Sequence, residues 1–258
     1  MESSAMARMT SRLPQPGFEL GLASYSTREF NLDQTITMAK RVGLKHLGLK
    51  SVHLPLTASE EECHAAADKI RSAGLDFYTA GVIYLKTKED VDQAYHYARA
   101  CGIRYITGSP ADAMLPLCEE YARKFNIGLA IHNHGPGDDL NPTVPGIYEK
   151  IRNMDKRIGI CMDIGHVVRL NHDPVQEFRQ CFDRIHDMHI KDVDKASADG
   201  DTIEMGRGVI NLKEFFQSVL EMQYSGMASF EHEKDGKDPL PGLAESVGYM
   251  HGLLRGLV

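Results

Sequence analysis

Four short stretches in the second half of the chain end in side chains that can ligate a metal. They are Ile131-His132-Asn133-His134, Met162-Asp163-Ile164-Gly165-His166, Met188-His189-Ile190-Lys191-Asp192 and Phe230-Glu231-His232-Glu233. Each emerges from an apolar run and reads as the carboxyl end of a buried strand, along which successive side chains point to opposite faces. Leu129 and Ile131 then oppose His132 and His134, and Ile160, Met162 and Ile164 oppose Asp163. Met188 and Ile190 oppose His189 and Lys191, while Ala228, Phe230 and His232 oppose Glu231 and Glu233. With neighbouring strands about 4.8 Å apart, His132, Asp163, His189 and Glu231 can converge on one ion at bonds of about 2.0–2.2 Å. Two imidazoles with two carboxylates suit Mn²⁺, Co²⁺, Fe²⁺ or Zn²⁺ and are too rich in nitrogen to favour Mg²⁺ or Ca²⁺. The expected cofactor is one divalent metal ion. Any one of these residues alone is more often a hydrogen-bonded histidine or acid; the set of four on one inner face carries the expectation.

Other residues could act on a substrate beside that ion. Lys50, in GLKSVHLP (48–55), faces inward if Leu47 and Leu49 face outward. A lysine in such a place shifts its pKa readily and can do acid–base work, against the plainer reading of a solvated loop lysine. Lys191 could hydrogen-bond a substrate hydroxyl or oxyanion, or simply pair with an acid. His53, His134, His166 and Arg207 are candidate substrate contacts, with core packing competing for His53 and loop bracing for Arg207. Residues 192–204 carry Asp192, Asp194, Asp199, Asp201 and Glu204 against the single Lys195. That acidic lip repels phosphomonoesters and points to an uncharged sugar, keto-sugar or cyclitol.

The elements that must position these groups are legible as a repeat. RVGLKHLGLK (41–50), RSAGLDFYTA (71–80), RACGIRYITG (99–108) and RKFNIGLAIH (123–132) each run from a helix end through a turn into a strand. Arg41, Arg71, Arg99 and Arg123 suit the negative end of a helix dipole. Gly43, Gly74, Gly102 and Asn126 follow where a left-handed residue ends a helix. Helix starts agree: Asn31 with Gln34, Ser59 with Glu62 and Asn211 with Glu214 have capping-box spacing, and Asp173 precedes Pro174. Strands are expected at 18–25, 46–51, 76–84, 103–108, 127–134, 158–165, 184–191 and 226–233. Helices are expected at 31–42, 58–73, 88–101, 112–125, 145–154, 174–183, 211–222 and 240–255. Eight right-handed alternations predict a single (β/α)₈ TIM barrel over 18–258. A doubly wound open sheet is the alternative, but no G-x-G-x-x-G follows the first strand. The irregular stretch 192–209 follows the seventh strand, at the catalytic mouth of such a barrel.

The chain has 258 residues and a net charge of −7 with no basic cluster, so nucleic acid is not an expected partner. No apolar run approaches the ~18 residues of a membrane span. The five cysteines form no C-x-x-C pair and read as reduced, buried thiols of a cytoplasmic protein. Residues 1–17 lack the apolar segment of a signal peptide and read as a flexible leader. Association into a homo-oligomer stays open.

CMDIGHVVRL (161–170), RIHDMHIKDVD (184–194), GRGVINL (206–212) and SFEHE (229–233) resemble the D-x-x-H, H-x-K-D, G-x-G and final-strand Glu motifs of the xylose isomerase-like barrel superfamily. That group includes sugar 3-epimerases, hydroxypyruvate isomerases, inosose dehydratases and AP endonucleases. The resemblance implies Asp163, His189 and Glu231 as metal ligands and His166 as a substrate-contacting histidine. It departs at the fifth strand, where sugar epimerases carry a glutamate that is both ligand and base. Here His132 stands, and IHNHG is closer to inosose dehydratases. A metal-bound imidazole is a poor second base, so Lys50, Lys191 or His134 would have to cover the face opposite Glu231. The leading expectation is a metal-dependent isomerase or epimerase of an unphosphorylated keto- or aldo-sugar, working through an enediolate. The alternative is a dehydratase or lyase of a keto-sugar or keto-cyclitol, which needs one base and one acid. A nuclease of the AP endonuclease type would need further His and Glu ligands and a basic face. A barrel that only binds sugar is the non-enzymatic reading.

Overall fold

A computed structural model describes residues 17–258. All of the expected leader except Gly17 therefore lies outside the described residues. In chain order the elements are β1 (Glu19–Ala23), α1 (Leu32–Arg41), β2 (His46–Leu49), α2 (Glu60–Ser72), β3 (Asp76–Leu85), α3 (Lys88–Cys101), β4 (Tyr105–Pro110), α4 (Leu115–Phe125), β5 (Gly128–His132) and α5 (Val144–Ile151). They continue with β6 (Ile158–Asp163), α6 (Ile164–Arg169), α7 (Pro174–Cys181), β7 (Ile185–Ile190), β8 (Asp192–Val193), β9 (Thr202–Ile203), α8 (Leu212–Glu221), β10 (Met227–Phe230) and α9 (Leu240–Leu257). Eight parallel strands close in the order β1-β10-β7-β6-β5-β4-β3-β2. The closing pair runs from Glu19 opposite Met227 to Leu22 opposite Phe230, which removes the open-sheet alternative.

The local signals act as expected. Gly43, Gly74, Gly102 and Asn126 all take positive φ. Both capping boxes at Asn31 and Ser59 form, and Thr87 with Asp90 makes a third that the sequence reading passed over. At Asn211 only half a box forms: its side chain accepts from Glu214 N and donates to the Glu214 carboxylate. Outward-facing strand residues such as Leu47, Leu129, Ile160, Met162 and Met188 are completely buried under the helices, each stabilising the fold by about 1.5–3 kcal/mol. Inside the barrel, Tyr78 donates to Asp187 Oδ2 at 2.9 Å and meets Ser229 Oγ at 2.6 Å. This layer lies one turn of the pleat below His189.

Several elements differ from the sequence expectation: β5 ends at His132 and β10 at Phe230, short of the expected 134 and 233. Strand β6 stops at Asp163, whose side chain caps α6 by accepting from His166 N at 2.8 Å. The stretch after β7 is also more ordered than a plain loop. β8 and β9 pair as an antiparallel ribbon, and the Asp192 carboxylate accepts from the backbone N–H groups of Val193, Gly206, Gly208 and Ile210 at 2.9–3.1 Å. A Cβ on residue 208 would sit 2.2 Å from Asp192 Oδ1, so only glycine permits that approach. No helix among the described residues is long and apolar enough to cross a membrane.

Candidate metal centre and active site

The carboxyl ends of β5, β6, β7 and β10 are neighbours in the closed sheet. The inward phase brings together His132 and Asp163 at the ends of β5 and β6, His189 one residue before the end of β7 and Glu231 one residue beyond β10. His132, Asp163, His189 and Glu231 are all at least nine-tenths buried, and one ligand atom from each lies within 4.8 Å of the others. His132 Nε2 is 3.1 Å from His189 Nδ1 and 3.5 Å from Asp163 Oδ2, and His189 Nδ1 is 3.4 Å from Glu231 Oε2. Two imidazole nitrogens and two carboxylate oxygens thus turn toward one point. Asp163 Oδ2 accepts no hydrogen bond among the described residues, the Lys191 ammonium 2.9 Å away standing outside hydrogen-bond geometry, so its lone pairs remain open to a metal ion. The donor set fits a divalent transition metal. Cys161 also lies beside His132 and His189, but burial pushes its thiol well up, which leaves it a poor ligand next to two carboxylates.

Lys191 lies against this cluster. Its Nζ is 2.9 Å from Asp163 Oδ2, 2.6 Å from Glu231 Oε2 and in contact with Glu233 Oε1. The Asp163 contact is an ion pair without hydrogen-bond geometry. Burial alone would pull the ammonium down, but Asp163, Glu231 and Glu233 outweigh it and hold Lys191 well above the usual lysine range. Lys191 is therefore a fixed cation and a donor. Lys50 is the opposite case. Burial, with help from Lys191, pulls it below the usual range against Glu231 and Glu233. Its Nζ lies 4.9 Å above the Tyr25 ring and makes no ion pair or hydrogen bond among the described residues.

His134 and His166 both come to the mouth. The His134 ring lies 4.5 Å from that of His132 and stacks on Tyr84 at 5.6 Å. His166 Nε2 is 3.9 Å from Asp163 Oδ2. Ser24, Tyr25, Gly48, Thr79, Gly81 and Thr107, from the β1 to β4 side, bound a small cavity facing His189 and Glu231.

His53 and Arg207 are not brought to this centre. The two ring nitrogens of His53 are engaged by Ser24 Oγ and Thr35 Oγ1, each at 3.0 Å, with Thr27 O also in reach. It ties the loop after β2 to the loop after β1. The Arg207 guanidinium forks onto Glu245 at 2.5 and 2.6 Å on the surface of α9. Conversely, Tyr25 and Tyr84 at the mouth were passed over. The rule that strand ends face the site finds both, since they close the strands expected at 18–25 and 76–84, although in the fold Tyr25 lies in the turn just after β1 and Tyr84 one residue before the end of β3.

Residues 83–253 match the family described as xylose isomerase-like TIM barrel. An inosose dehydratase of Lacticaseibacillus casei is 27% identical over 130 residues, which is 44% of this chain and 43% of that protein. The chain thus matches less than half the length of that curated relative. Among solved structures, an IOLI protein with a binding zinc atom superposes with a TM-score of 0.78 at 14% identity, covering 93% of this chain and 99% of that one. An L-ribulose 3-epimerase superposes with a TM-score of 0.75 at 16% identity, covering 93% and 95%. With the family match spanning most of the barrel and its strand-end motifs, the chain belongs to the xylose isomerase-like TIM barrel family.

Proposed function

We propose that this chain is a divalent-metal-dependent enzyme that moves the carbon-bound proton beside the carbonyl of an unphosphorylated keto- or aldo-sugar, isomerising or epimerising it through an enediolate. His132, Asp163, His189 and Glu231 would hold the ion. When bound, it supplies Lewis acidity that polarises the carbonyl and the adjacent hydroxyl and acidifies that proton. The observation that carries the reading is Lys50. It is an unpaired lysine whose pKa is lowered, in the same mouth as the Glu231 carboxylate. Glu231 and Lys50 give the site two groups able to exchange a proton with carbon, which an isomerase or epimerase lacking a fifth-strand glutamate needs. Lys191 donates to the oxygen on which negative charge develops. His134 and His166 orient hydroxyls, and the Tyr84 ring backs His134. Asp192 is taken up by backbone N–H groups, and Asp199 and Glu204 are paired with Lys195 and Lys234, so of the acidic stretch only Asp194 and Asp201 are left to disfavour phosphorylated substrates.

A second reading is favoured by His132 and by the 130-residue likeness to an inosose dehydratase. In it Glu231 takes the proton beside the carbonyl of a keto-sugar or keto-cyclitol, and Lys50, whose ammonium is held below the usual lysine range, gives one to the departing hydroxyl, which leaves as water. Proton NMR of the metal-loaded protein in D₂O with free ketoses, aldoses and keto-cyclitols separates the two. Deuterium entering an unbroken carbon skeleton supports the first, and loss of water to an unsaturated or deoxy-keto product supports the second. No exchange on any of these sugars, with metal bound, removes both. Nicking of abasic DNA at low salt would point to a nuclease instead.

A further inference from the structure

His166 is placed by two constraints. Asp163 caps its backbone N–H, and Gly135, at φ +73°, lets the preceding loop pass where a Cβ would stand 3.0 Å from the His166 Cβ and carbonyl oxygen. The ring then presents Nε2 to the mouth, 3.9 Å from Asp163 Oδ2 and edge-on to His132. Its Nδ1 faces away, toward Arg169 Nη1 at 3.4 Å. A guanidinium has five N–H donors and no acceptor, and it is always charged. The Nδ1 atom beside it must therefore offer a lone pair, which leaves the single proton of a neutral imidazole on Nε2.

We infer that Arg169 is a positioning residue that fixes the tautomer of His166, so that a neutral imidazole presents an Nε2–H donor to a substrate oxygen. Arg169 is itself held by the ribbon after β7: its Nε donates to Gly200 O at 2.8 Å and its Nη2 to Thr202 Oγ1 at 3.2 Å. The ribbon, the guanidinium and the histidine form one chain of contacts, in which the guanidinium sets the tautomer and the ribbon only steadies the guanidinium. The inference rests on the proposed role of His166 toward a substrate oxygen, but the tautomer itself does not.

Nitrogen-15 NMR of the full-length, zinc-loaded protein with labelled histidine reads the tautomer directly, with His166→Gln assigning the signal. The expected result is an Nε2–H imidazole at His166, changing to a mixed or Nδ1–H form in Arg169→Met. In that variant kcat on whichever sugar the D₂O screen identifies falls on the order of tenfold or more, with KM little changed, and added ethylguanidinium restores part of it. Thr202→Val removes the ribbon contact while leaving Nη1 on the ring, and it should leave the tautomer unchanged. An Nδ1–H imidazole in the unaltered protein overturns the inference, even if Arg169→Met fails to fold. So does an unchanged tautomer in Arg169→Met, or a loss in Thr202→Val equal to that in Arg169→Met. A correct tautomer without turnover on any sugar would instead remove the proposed reaction and leave this inference standing.

Discussion

At the scale of the residue, the site asks single side chains to do more than one thing, and substitutions can separate the tasks. Asp163 offers Oδ1 to the α6 backbone and leaves Oδ2 for a cation. Asp163→Asn keeps a good helix cap but loses the charge, so metal content measured by mass spectrometry should fall to near zero while the fold persists. Asp163→Ala loses both, and its melting should show about a further 1 kcal/mol of destabilisation. Equal stability of the two variants would deny the capping role. Lys191 sits among Asp163, Glu231 and Glu233, and a buried pair broken on one side costs about 3–5 kcal/mol. Lys191→Met should therefore melt much earlier than the natural protein in chelator, and added metal should raise its Tm by more than it raises that of the natural protein. A metal-free Lys191→Met as stable as the natural protein would show that the ammonium does not neutralise the carboxylates. The four candidate ligands were legible because strand alternation fixes which side chains face inward from sequence alone. The placement of His53 and Arg207 was not, because their partners Thr35, Ser24 and Glu245 come from other elements and only the folded chain brings them close.

Elements were read well where one local rule decides them and poorly where two rules meet. Positive-φ caps and capping boxes mark most helix ends without tertiary help. Strand β6 was drawn too long because Asp163 both ends a strand and caps a helix, and Ile164 continues the apolar run into α6. The ribbon β8–β9 was missed because two-residue strands are too short to show alternation. Its order comes from one carboxylate: Asp192 gathers four backbone N–H groups that the sequence places up to 18 residues away. Gly208→Ala tests this, since its Cβ would meet Asp192 Oδ1 at 2.2 Å and Val193 O at 2.3 Å. The expected outcome is faster proteolysis within 194–210 and a raised KM, with a loss of about 1–3 kcal/mol in stability. The contrasting change is Gly252→Ala in α9, where a Cβ meets nothing within 4 Å. It should stabilise the chain by about 0.5–1 kcal/mol, as expected for relieving a glycine inside a helix. Proteolysis unchanged in Gly208→Ala would mean that the loop holds its shape without the Asp192 contacts.

For the molecule as a whole, eight alternations made a barrel the expected architecture, yet closure itself rests on β1 meeting β10, a pairing between chain ends that no local pattern encodes. Closure also creates two unlike ends. The candidate centre collects charge at the carboxyl ends of the strands, while the opposite end packs rings, and His186 belongs to the latter. The register shift between β6 and β7 turns it inward, where it lies 5.4 Å from the Tyr105 ring and over Gly159. Burial pulls its pKa from an ordinary 6.5 to about 4, and Arg184 acts in the same direction against a hydrogen bond to the Lys156 backbone. The folded protein thus keeps His186 neutral where the unfolded chain would protonate it. Its contribution to stability is fully present above pH 6.5 and is lost as the pH falls from 6.5 toward 4, because the unfolded chain takes up the proton first. The loss should be on the order of 3 kcal/mol at full extent, on top of what other buried histidines contribute. Urea unfolding in chelator between pH 7.5 and 4.5 measures it without interference from metal release. His186→Gln should flatten that acid limb while changing stability little in its slope above pH 7. An acid limb as steep in His186→Gln as in the natural protein would place the acid sensitivity at the other end of the barrel, among the histidines of the mouth.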